Sequence, residues 1–527
     1  MTSPSADEIA ETPWISRSLP AWWIVLGLLM LVFSAFPIAN MLLGLSTKDY
    51  GLWYQVGIAV RRGFDIYPRP ETKRLFPFMY PPSAAAMLGV VSYLGSVGTL
   101  LVLVAINSAA WLVSILLSVN LVKRPGERVH PLLYIVPSLG VIVLVHNVYL
   151  LGQPNMLLLA LLLGAFACLR LRRSWSAGAL VATAAAIKAF PIMVLGYFVY
   201  RRQWTAAVST VVALAGWLLV APLLFRTPAQ VVDDLAVWSQ GMLFTYNSNG
   251  IAQRPFRSYS YKNQSIMAVA HRLLRDVPAD GESVLSARAK LAGAAGVPVV
   301  DPATDLLTFL KPHSGALARA AQELTDPRLN AKAAAGPRWD DALESAAPAL
   351  RAAWRINIAN LDFRSVTLAT LAAMAVICLF TLAILPPAQR LSSDLLVHEF
   401  AIVTILTTIF SPLSFNYAYV WMLFPTTLGL KIAVGAPPAD PRRRLKLGWI
   451  AAVLLIPALA VPMPKLAQAY GNLFVPAVLL LVGVGLASRA TWRGRELDSR
   501  HRPRPFWSKI AARSSAMGPP YHETLMD

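Results

Sequence analysis

Long apolar runs separated by short polar segments make up most of the chain. They lie near residues 22–45, 83–121, 131–151, 155–171, 175–200, 204–225, 364–386, 397–411, 415–435, 447–463 and 471–488. A helix needs about 20 predominantly apolar residues to cross the ~30 Å hydrocarbon core of a bilayer. The pattern therefore predicts an all-α polytopic membrane protein with about ten to thirteen transmembrane helices.

Two of these runs are too irregular for one straight crossing. Run 83–121 contains Gly95 and Gly98, which predicts a short helix followed by a full span. Run 175–200 carries Lys188 and Pro191 in its interior. A proline inside a helix removes a backbone hydrogen bond and bends the axis, so we expect a break at this point.

Composition supports a membrane protein and gives no support to a nucleic-acid partner. Only 14% of the 527 residues are charged and 56% are hydrophobic, whereas soluble domains are about a quarter charged. The formal net charge is +20, and the basic residues cluster between the apolar runs. Positively charged cytoplasmic loops and anionic lipid headgroups explain this distribution, so we expect membrane lipids as partners and no nucleic acid.

The two ends of the chain predict a topology. The first 20 residues are polar, and the run that follows is longer than the apolar region of a signal peptide, so we expect a retained first span. The arginines at 442–444 and the basic stretch 489–513 are typical of the cytoplasmic side. Counting back from them places residues 411–414 outside, and a cytoplasmic N-terminus places the loop at residues 46–81 outside as well. Its basic residues alone would place that loop inside, but an anionic lipid-phosphate site also requires clustered cations.

One long polar segment, residues 276–352, interrupts the apolar pattern. It is rich in alanine and broken by prolines, which predicts a small helical soluble insertion. The insertion could cap an active site or recognise an acceptor, or it could be a decoration without a catalytic part. The predicted organisation is a cytoplasmic tail (1–20), an N-terminal transmembrane module (21–275) with an outer loop (46–81), the insertion (276–352), a C-terminal transmembrane module (353–489) and a basic disordered cytoplasmic tail (490–527).

Asp49, just after the first apolar run, is the candidate catalytic residue. A sugar carried on a lipid phosphate already has an activated leaving group, so its transfer needs no general acid. It needs one base for the acceptor hydroxyl and cations for the departing phosphate. Asp49 with Arg61 and Arg62 in the same loop supplies that minimum set. The alternative is that Asp49 only ends the span and is solvated.

Lys188 is the second candidate, because ionisable residues inside apolar runs are costly and usually functional. A phosphate would suit it, but snorkelling to an interface or an ion pair with a buried carboxylate would also explain it. Other polar residues at breaks between runs are candidates for contacts with a sugar or a phosphate, although ordinary caps and turns would place them there too. They are Tyr80, Gln153, Asn155, Lys262, Asn263, Gln264 and His271.

The ordered motifs resemble glycosyltransferase family 87, a family of membrane enzymes with the GT-C fold that includes polyprenyl-phosphate-mannose-dependent mannosyltransferases. The resemblance covers about residues 20–275 and 360–435. It rests on these stretches in order: Asp49, GFDIYP at 63–68, YPP at 80–82, GQ-x-N at 152–155, Lys188 with Pro191, NQS at 263–265 with Arg272, and SP at 411–412. The chain has no Asp-x-Asp at Asp49, so no metal and no cofactor are expected.

The resemblance implies a sugar donor linked to polyprenyl phosphate, a glycolipid or glycan acceptor of the cell envelope, and transfer on the outer face of the inner membrane. It also implies an inverting single displacement with Asp49 as the base. Lys188, Arg61, Arg62 and Lys262 would bind the donor phosphate. Tyr80, Gln153, Asn155, Asn263, Gln264 and His271 would contact the sugar or the acceptor. A transporter or lipid flippase, and a non-catalytic partner in envelope polysaccharide assembly, are the alternative interpretations.

Overall fold

The architecture is all-α and polytopic, as the apolar pattern predicts. A computed structural model of the chain describes residues 13–67, 78–124, 126–248, 250–252, 254–255, 257–280, 354–388, 391–460 and 464–501. The helices are α1 (Pro13–Leu42), α2 (Asp49–Arg61), α3 (Pro82–Val91), α4 (Gly95–Val122), α5 (Leu132–Gly140), α6 (Ile142–Leu151), α7 (Asn155–Arg170), α8 (Ser174–Ile187), α9 (Val194–Tyr200), α10 (Trp204–Ala215), α11 (Pro228–Trp238), α12 (Ile266–Leu274), α13 (Phe363–Ile384), α14 (Ser393–Phe410), α15 (Leu423–Val434), α16 (Arg443–Leu455), α17 (Pro464–Ala469) and α18 (Phe474–His501). A small antiparallel sheet joins β1 (Tyr246–Asn247), β2 (Gly250–Ile251) and β3 (Arg254–Pro255) in that order.

Within the described ranges, seven helical segments are long and apolar enough to cross a bilayer. They are Pro20–Leu42, Pro82–Val122, Trp204–Leu224, Phe363–Ile384, Ser393–Phe410, Asn416–Val434 and Phe474–Gly494. Helices α5 and α6 meet at an angle of 57° and would form an eighth crossing as a broken span. The chain is therefore a multi-pass membrane protein.

The described segments that pass as crossings are fewer than the ten to thirteen predicted, because several apolar runs fold as short helices. Helix α7 has 16 residues, which makes it roughly 24 Å long, less than the hydrocarbon core. Helix α8 ends at Ile187 because Lys188 takes an extended backbone conformation, and Pro191 opens the short turn that follows. The predicted split of run 83–121 is confirmed, since α3 and α4 are separate helices.

Burial distinguishes helices at the surface from those in the interior. Large apolar side chains on α1 and α13 are exposed, among them Ile24, Leu31, Leu371 and Val376. In α7, in contrast, half of the residues are buried, among them Phe166, and none is exposed. Exposed apolar faces on spans of this length suit contact with lipid, whereas α7 belongs to the protein core.

Helices α8 and α10 pack closely enough to require a small residue at their contact. A Cβ atom at Gly178 would lie 2.3 Å from the carbonyl oxygen of Ala206 and 2.7 Å from Cβ of Ser209. The hydroxyl of Ser209 donates to the carbonyl of Trp175 at 2.7 Å. Small residues let helix backbones approach in this way in membranes. The contact fixes α8, whose last residue precedes Lys188.

A buried ion pair joins the N-terminal half of the chain to α14. Arg201, directly after α9, donates from Nε to Glu399 Oε2 at 2.9 Å and forms a second bond to Oε1. The hydroxyl of Tyr197 also donates to Oε2 at 2.9 Å. Because Glu399 is fully buried, these bonds compensate a charge that would otherwise be expensive.

The structure describes only part of the predicted insertion and of the two predicted tails. Nearly all of the predicted insertion 276–352 lies outside the described residues, but its flanks meet: Ala279 N–H donates to the carbonyl of Trp354 at 2.8 Å. Helix α18 continues to His501, so residues expected at the start of the tail are helical. The rest of that tail and residues 1–12 lie outside the described ranges.

Replacing Gly178 by alanine should destabilise the protein by about 2 kcal/mol, because the added methyl group overlaps α10. The matched control is Gly27→Ala in α1, where no atom lies within 4 Å of the added Cβ. That change should leave stability unchanged or raise it by up to about 1 kcal/mol through helix propensity. Thermal unfolding of both variants in lipid nanodiscs measures the difference. Equal melting temperatures would contradict the close contact.

Replacing Glu399 by glutamine should cost about 3 kcal/mol, since it leaves the charge of Arg201 buried without its counter-ion. The control is Asp394→Asn, which breaks the more exposed pair with Arg124 and should cost less than about 1 kcal/mol. Chemical denaturation in detergent compares the two. A smaller loss for Glu399→Gln than for Asp394→Asn would show that the buried pair does not hold the two halves together.

Candidate functional site

Asp49 is the first residue of α2 and is partly buried. The positive end of the helix dipole favours a carboxylate in this position. The preceding residue, Lys48, has φ 53° and ψ −130°, a backbone conformation that glycine adopts far more readily than lysine. Such strain costs about 1–3 kcal/mol and persists only where the surroundings impose it, often at functional sites.

Gly152 and Gln153 bring the end of α6 to Asp49. Gly152 terminates α6 with φ 73°, the left-handed conformation that favours glycine. Its carbonyl accepts a 2.7 Å hydrogen bond from Trp53 Nε1 of α2. A Cβ atom at Gly152 would lie 3.0 Å from the ring of Tyr50. Helix α2 therefore fits against this turn, and the next residue, Gln153, reaches the start of α2.

A chain of side-chain hydrogen bonds runs through Gln153. Its Nε2 donates to Oδ2 of Asp49, and its Oε1 accepts from the hydroxyl of Tyr80 at 2.9 Å. Within the described ranges, Oδ1 of Asp49 accepts no hydrogen bond. One carboxylate oxygen is thus fixed by an amide while the other stays available to a ligand.

Lys188 lies at the break after α8, surrounded by aromatic rings. Its Nζ donates to Oδ1 of Asn155 at 3.3 Å. The ring centroids of Tyr80 and Tyr417 lie 5.4 Å and 5.2 Å away, and that of Phe190 lies 5.9 Å away. Cation–π contacts of this kind hold an ammonium group without neutralising its charge. Burial lowers the pKa of Lys188 to about 8, so the charged form still predominates near pH 7 and can act on an anionic ligand.

Arg254 completes the electrostatic surroundings of Asp49, and it was not among the predicted site residues. It lies in β3, and its Nε contacts the sulfur of Met79 at 2.8 Å. Burial raises the pKa of Asp49 above the ordinary value of a carboxyl group. The charge of Arg254, the hydrogen bond from Gln153 and the charge of Lys188 oppose that rise. A sequence signal did exist, since arginines 254 and 257 lie in a polar stretch between two apolar runs.

The structure does not bring Arg61 to Asp49. Both belong to α2, twelve positions apart, which separates their backbones by roughly 18 Å along the axis. Arg61 instead lies 4.1 Å from the ring centroid of Tyr93, and Arg62 is exposed. Lys262 lies 5.8 Å from the ring centroid of Tyr261. The cations that act on the Asp49 carboxylate from beyond its own loop are thus Lys188 and Arg254.

The amides of Asn263 and Gln264 are fully buried and bind backbone carbonyls. Asn263 Nδ2 donates to the carbonyls of Ser258 and Pro412 at 2.7 and 2.9 Å. Gln264 Nε2 donates to those of Tyr261 and Gln468, both at 2.6 Å. These side chains fasten the loop before α12 to its neighbours. In this conformation their donor groups are used within the protein.

His271 is also fully buried, away from the bonds made by Asp49. Its Nε2 lies 3.0 Å from the hydroxyl of Tyr246, and its Nδ1 lies 3.1 Å from Arg275 Nη1. Its ring stacks on Phe363. Burial and the charge of Arg275 lower the pKa of His271 to about 3, so the imidazole is neutral near pH 7.

The chemistry available at the site follows from these contacts. Asp49, Gln153 and Tyr80 form one hydrogen-bonded chain, and Lys188 joins Tyr80 and Asn155 to it. The described residues contain no group of three His, Cys, Asp or Glu side chains placed to hold a metal ion. The arrangement offers a proton acceptor of raised pKa beside two cations, which suits a reaction that moves a proton and releases an anion.

Comparison with known proteins gives one family. Residues 78–308 match the model of glycosyltransferase family 87. The matched region contains Tyr80, Gln153, Asn155, Lys188 and Arg254, whereas Asp49 lies before it. No curated protein and no solved structure matches the chain. The family match confirms the resemblance seen in the motifs: residues 78–308 are similar to glycosyltransferase family 87, and this similarity supports a membrane glycosyltransferase.

Proposed function

We propose that the protein transfers a sugar, mannose or another hexose or pentose, from a polyprenyl-phosphate donor to a glycolipid or glycan of the cell envelope. The reaction would occur at the outer face of the bacterial inner membrane. The observation that carries this proposal is the Asp49 carboxylate, which keeps one oxygen free beside the charges of Lys188 and Arg254. A base next to cations is what transfer from a lipid phosphate requires.

In the proposed step, the acceptor hydroxyl oxygen attacks the anomeric carbon of the donor sugar. The bond between that carbon and the phosphate oxygen breaks, and polyprenyl phosphate leaves with the electron pair. Oδ1 of Asp49 takes the acceptor proton. Attack opposite to the leaving group inverts the anomeric configuration in a single displacement.

The raised pKa of Asp49 suits the role of base. An ordinary exposed carboxylate is a weak base near pH 7, and a pKa nearer the working pH improves proton transfer. Burial produces the rise at Asp49. The carboxylate must still be ionised before it can accept a proton, and the nearby charges of Arg254 and Lys188 favour the ionised form.

Lys188 and Arg254 are the proposed partners of the donor phosphate. Among the described residues, no carboxylate oxygen lies within 4.0 Å of a side-chain nitrogen of either cation. Neither charge is therefore neutralised by a direct ion pair. The rings around Lys188 restrain its position. Fixed cations stabilise charge that develops on the leaving phosphate, which is the usual origin of large rate effects in such sites.

Asn155 and Gln153 are the proposed polar contacts of the sugar. Nδ2 of Asn155 is fully buried and has no hydrogen-bond acceptor among the described residues. A buried donor without an acceptor is costly, and a sugar hydroxyl would satisfy it. Tyr80 lies between Gln153 and Lys188 and would contact the same sugar. Asn263, Gln264 and His271 would then support the site through the surrounding loops.

Replacing Asp49 by asparagine should reduce transfer at least about 100-fold, because the amide cannot accept the proton. The measurement is transfer of radiolabelled mannose from polyprenyl-phosphate mannose to extracted envelope glycolipids in membranes. Asp233→Asn, which changes an exposed aspartate of α11, is the matched control and should retain the rate of the native protein. Native turnover by the Asp49→Asn variant, at equal expression, would refute the proposal.

Replacing Arg254 by glutamine should lower kcat/KM for the lipid-linked donor about 10- to 100-fold, the effect of losing one charged hydrogen bond. Arg257→Gln, three residues further on at an exposed position, is the control. The same radiolabelled transfer, followed over a range of donor concentrations, separates the two variants. An equal decrease of kcat/KM in both variants would show that the decrease comes from the lost positive charge of this segment and not from the position of Arg254.

A further inference from the structure

We infer that Tyr80 and Gln153 are positioning residues for Asp49: the Tyr80 hydroxyl sets the orientation of the Gln153 amide, and the oriented amide holds the carboxylate ionised with Oδ1 free. This inference rests on the proposed role of Asp49 as the base. It assigns a function to two residues otherwise expected only to contact the sugar.

A glutamine amide can face a neighbour with its NH₂ group or with its oxygen. An ionised carboxylate only accepts hydrogen bonds, so the NH₂ group must face it. The structure has this orientation, with Nε2 of Gln153 toward Asp49 and Oε1 toward Tyr80. The opposite orientation would place two acceptors against each other unless Asp49 were protonated.

Tyr80 supplies the donor that selects this orientation. Its hydroxyl donates to Oε1 of Gln153 at 2.9 Å. Burial keeps the pKa of Tyr80 well above the ordinary value for tyrosine, so the phenol retains its proton near pH 7. A phenol that donates to Oε1 stabilises the amide orientation that an ionised Asp49 needs.

The phenol itself is held from several sides. The carbonyl of Tyr80 accepts a 2.5 Å hydrogen bond from the hydroxyl of Tyr67. The centroid of its ring lies 4.7 Å from that of Trp53, with the ring planes nearly perpendicular, and 5.7 Å from that of Phe78. Lys188 lies 5.4 Å from the centroid of the ring. These contacts hold the phenol oxygen within hydrogen-bond reach of Oε1 of Gln153.

The consequence is a link between the Tyr80 hydroxyl and the ionisation of Asp49. A hydrogen bond to the ionised form lowers the pKa of a carboxyl group, and the bond from Gln153 acts in this direction on Asp49. Without the hydroxyl, the amide can turn its oxygen toward a protonated Asp49. The ionised carboxylate then loses the stabilising hydrogen bond from Gln153, and the pKa of Asp49 rises.

The test is a titration of Asp49 by infrared difference spectroscopy, using the full-length protein in lipid nanodiscs. Subtracting spectra of Asp49→Asn isolates the carboxyl stretch of Asp49. Tyr80→Phe should move the midpoint about 0.5–1 pH unit higher, the shift expected for one lost hydrogen bond. Tyr54→Phe, which removes the hydroxyl of a partly buried tyrosine on the same helix as Asp49, should leave it unchanged. A Tyr80→Phe midpoint equal to that of the native protein would overturn the inference.

A second variant covers the case in which Tyr80→Phe fails to fold. Gln153→Leu removes the amide and should also raise the midpoint. Gln153→Glu should raise it further, because a second carboxylate opposes ionisation of the first. A merely structural role would lower activity or stability at every pH while the midpoint stayed fixed. An unchanged midpoint in the Gln153 variants would therefore refute the positioning role.

The titration needs no turnover, so it separates this inference from the proposed function. The acid limb of the pH–rate profile for mannose transfer should follow the infrared midpoint in the native protein and in Tyr80→Phe. A midpoint that moves while the acid limb stays would refute Asp49 as the base and leave the positioning role intact. A fixed midpoint with an inactive Asp49→Asn would refute the positioning role alone.

Discussion

Charge inside an apolar environment is the constraint on which this fold depends, because a buried charge is costly unless it is paired or hydrogen-bonded. Glu399 meets the constraint with bonds from Arg201 and Tyr197 and thereby joins two distant parts of the chain. Arg272 meets it differently. Fully buried, it donates to the backbone carbonyls of Tyr259, Ser260, Asn263 and Ala469. Both charges are committed to holding elements of the structure together.

Asp49 meets the same constraint only in part. A neutral amide holds one oxygen, while Arg254 and Lys188 act on the carboxylate without a direct ion pair among the described residues. The strained backbone at Lys48 shows that the fold maintains this position at a cost. A charge left incompletely compensated by the protein can still interact with a substrate, whereas those of Glu399 and Arg272 are committed to the fold. This difference distinguishes the candidate site from the structural charges.

Sequence patterns predicted the membrane class and the break at Lys188, and the family resemblance implied that Gln153 and Asp49 belong to one site. The patterns did not predict which residues reach the site where that depends on helix geometry or on the direction of a side chain. Arg61 seemed close to Asp49 in the loop, but α2 carries it about 18 Å away. The amide of Asn263 could have faced a sugar or a carbonyl, and residue type alone does not decide between them. Arg254 was missed because a hairpin, which apolar periodicity does not reveal, brings it to the site.

The candidate site lies where helices begin and end. Asp49 starts α2, Gln153 follows α6, Asn155 starts α7, and Lys188 follows α8. Helix ends leave backbone groups unsatisfied, and such groups are tolerated at membrane depth only inside protein or along a polar cavity. A polar donor that enters from a bilayer needs the same surroundings. The breaks that shorten the apolar runs therefore place the polar groups of the candidate site together. For this reason its side chains come from the ends of short helices and not from the long spans α1 and α13, whose apolar side chains are exposed.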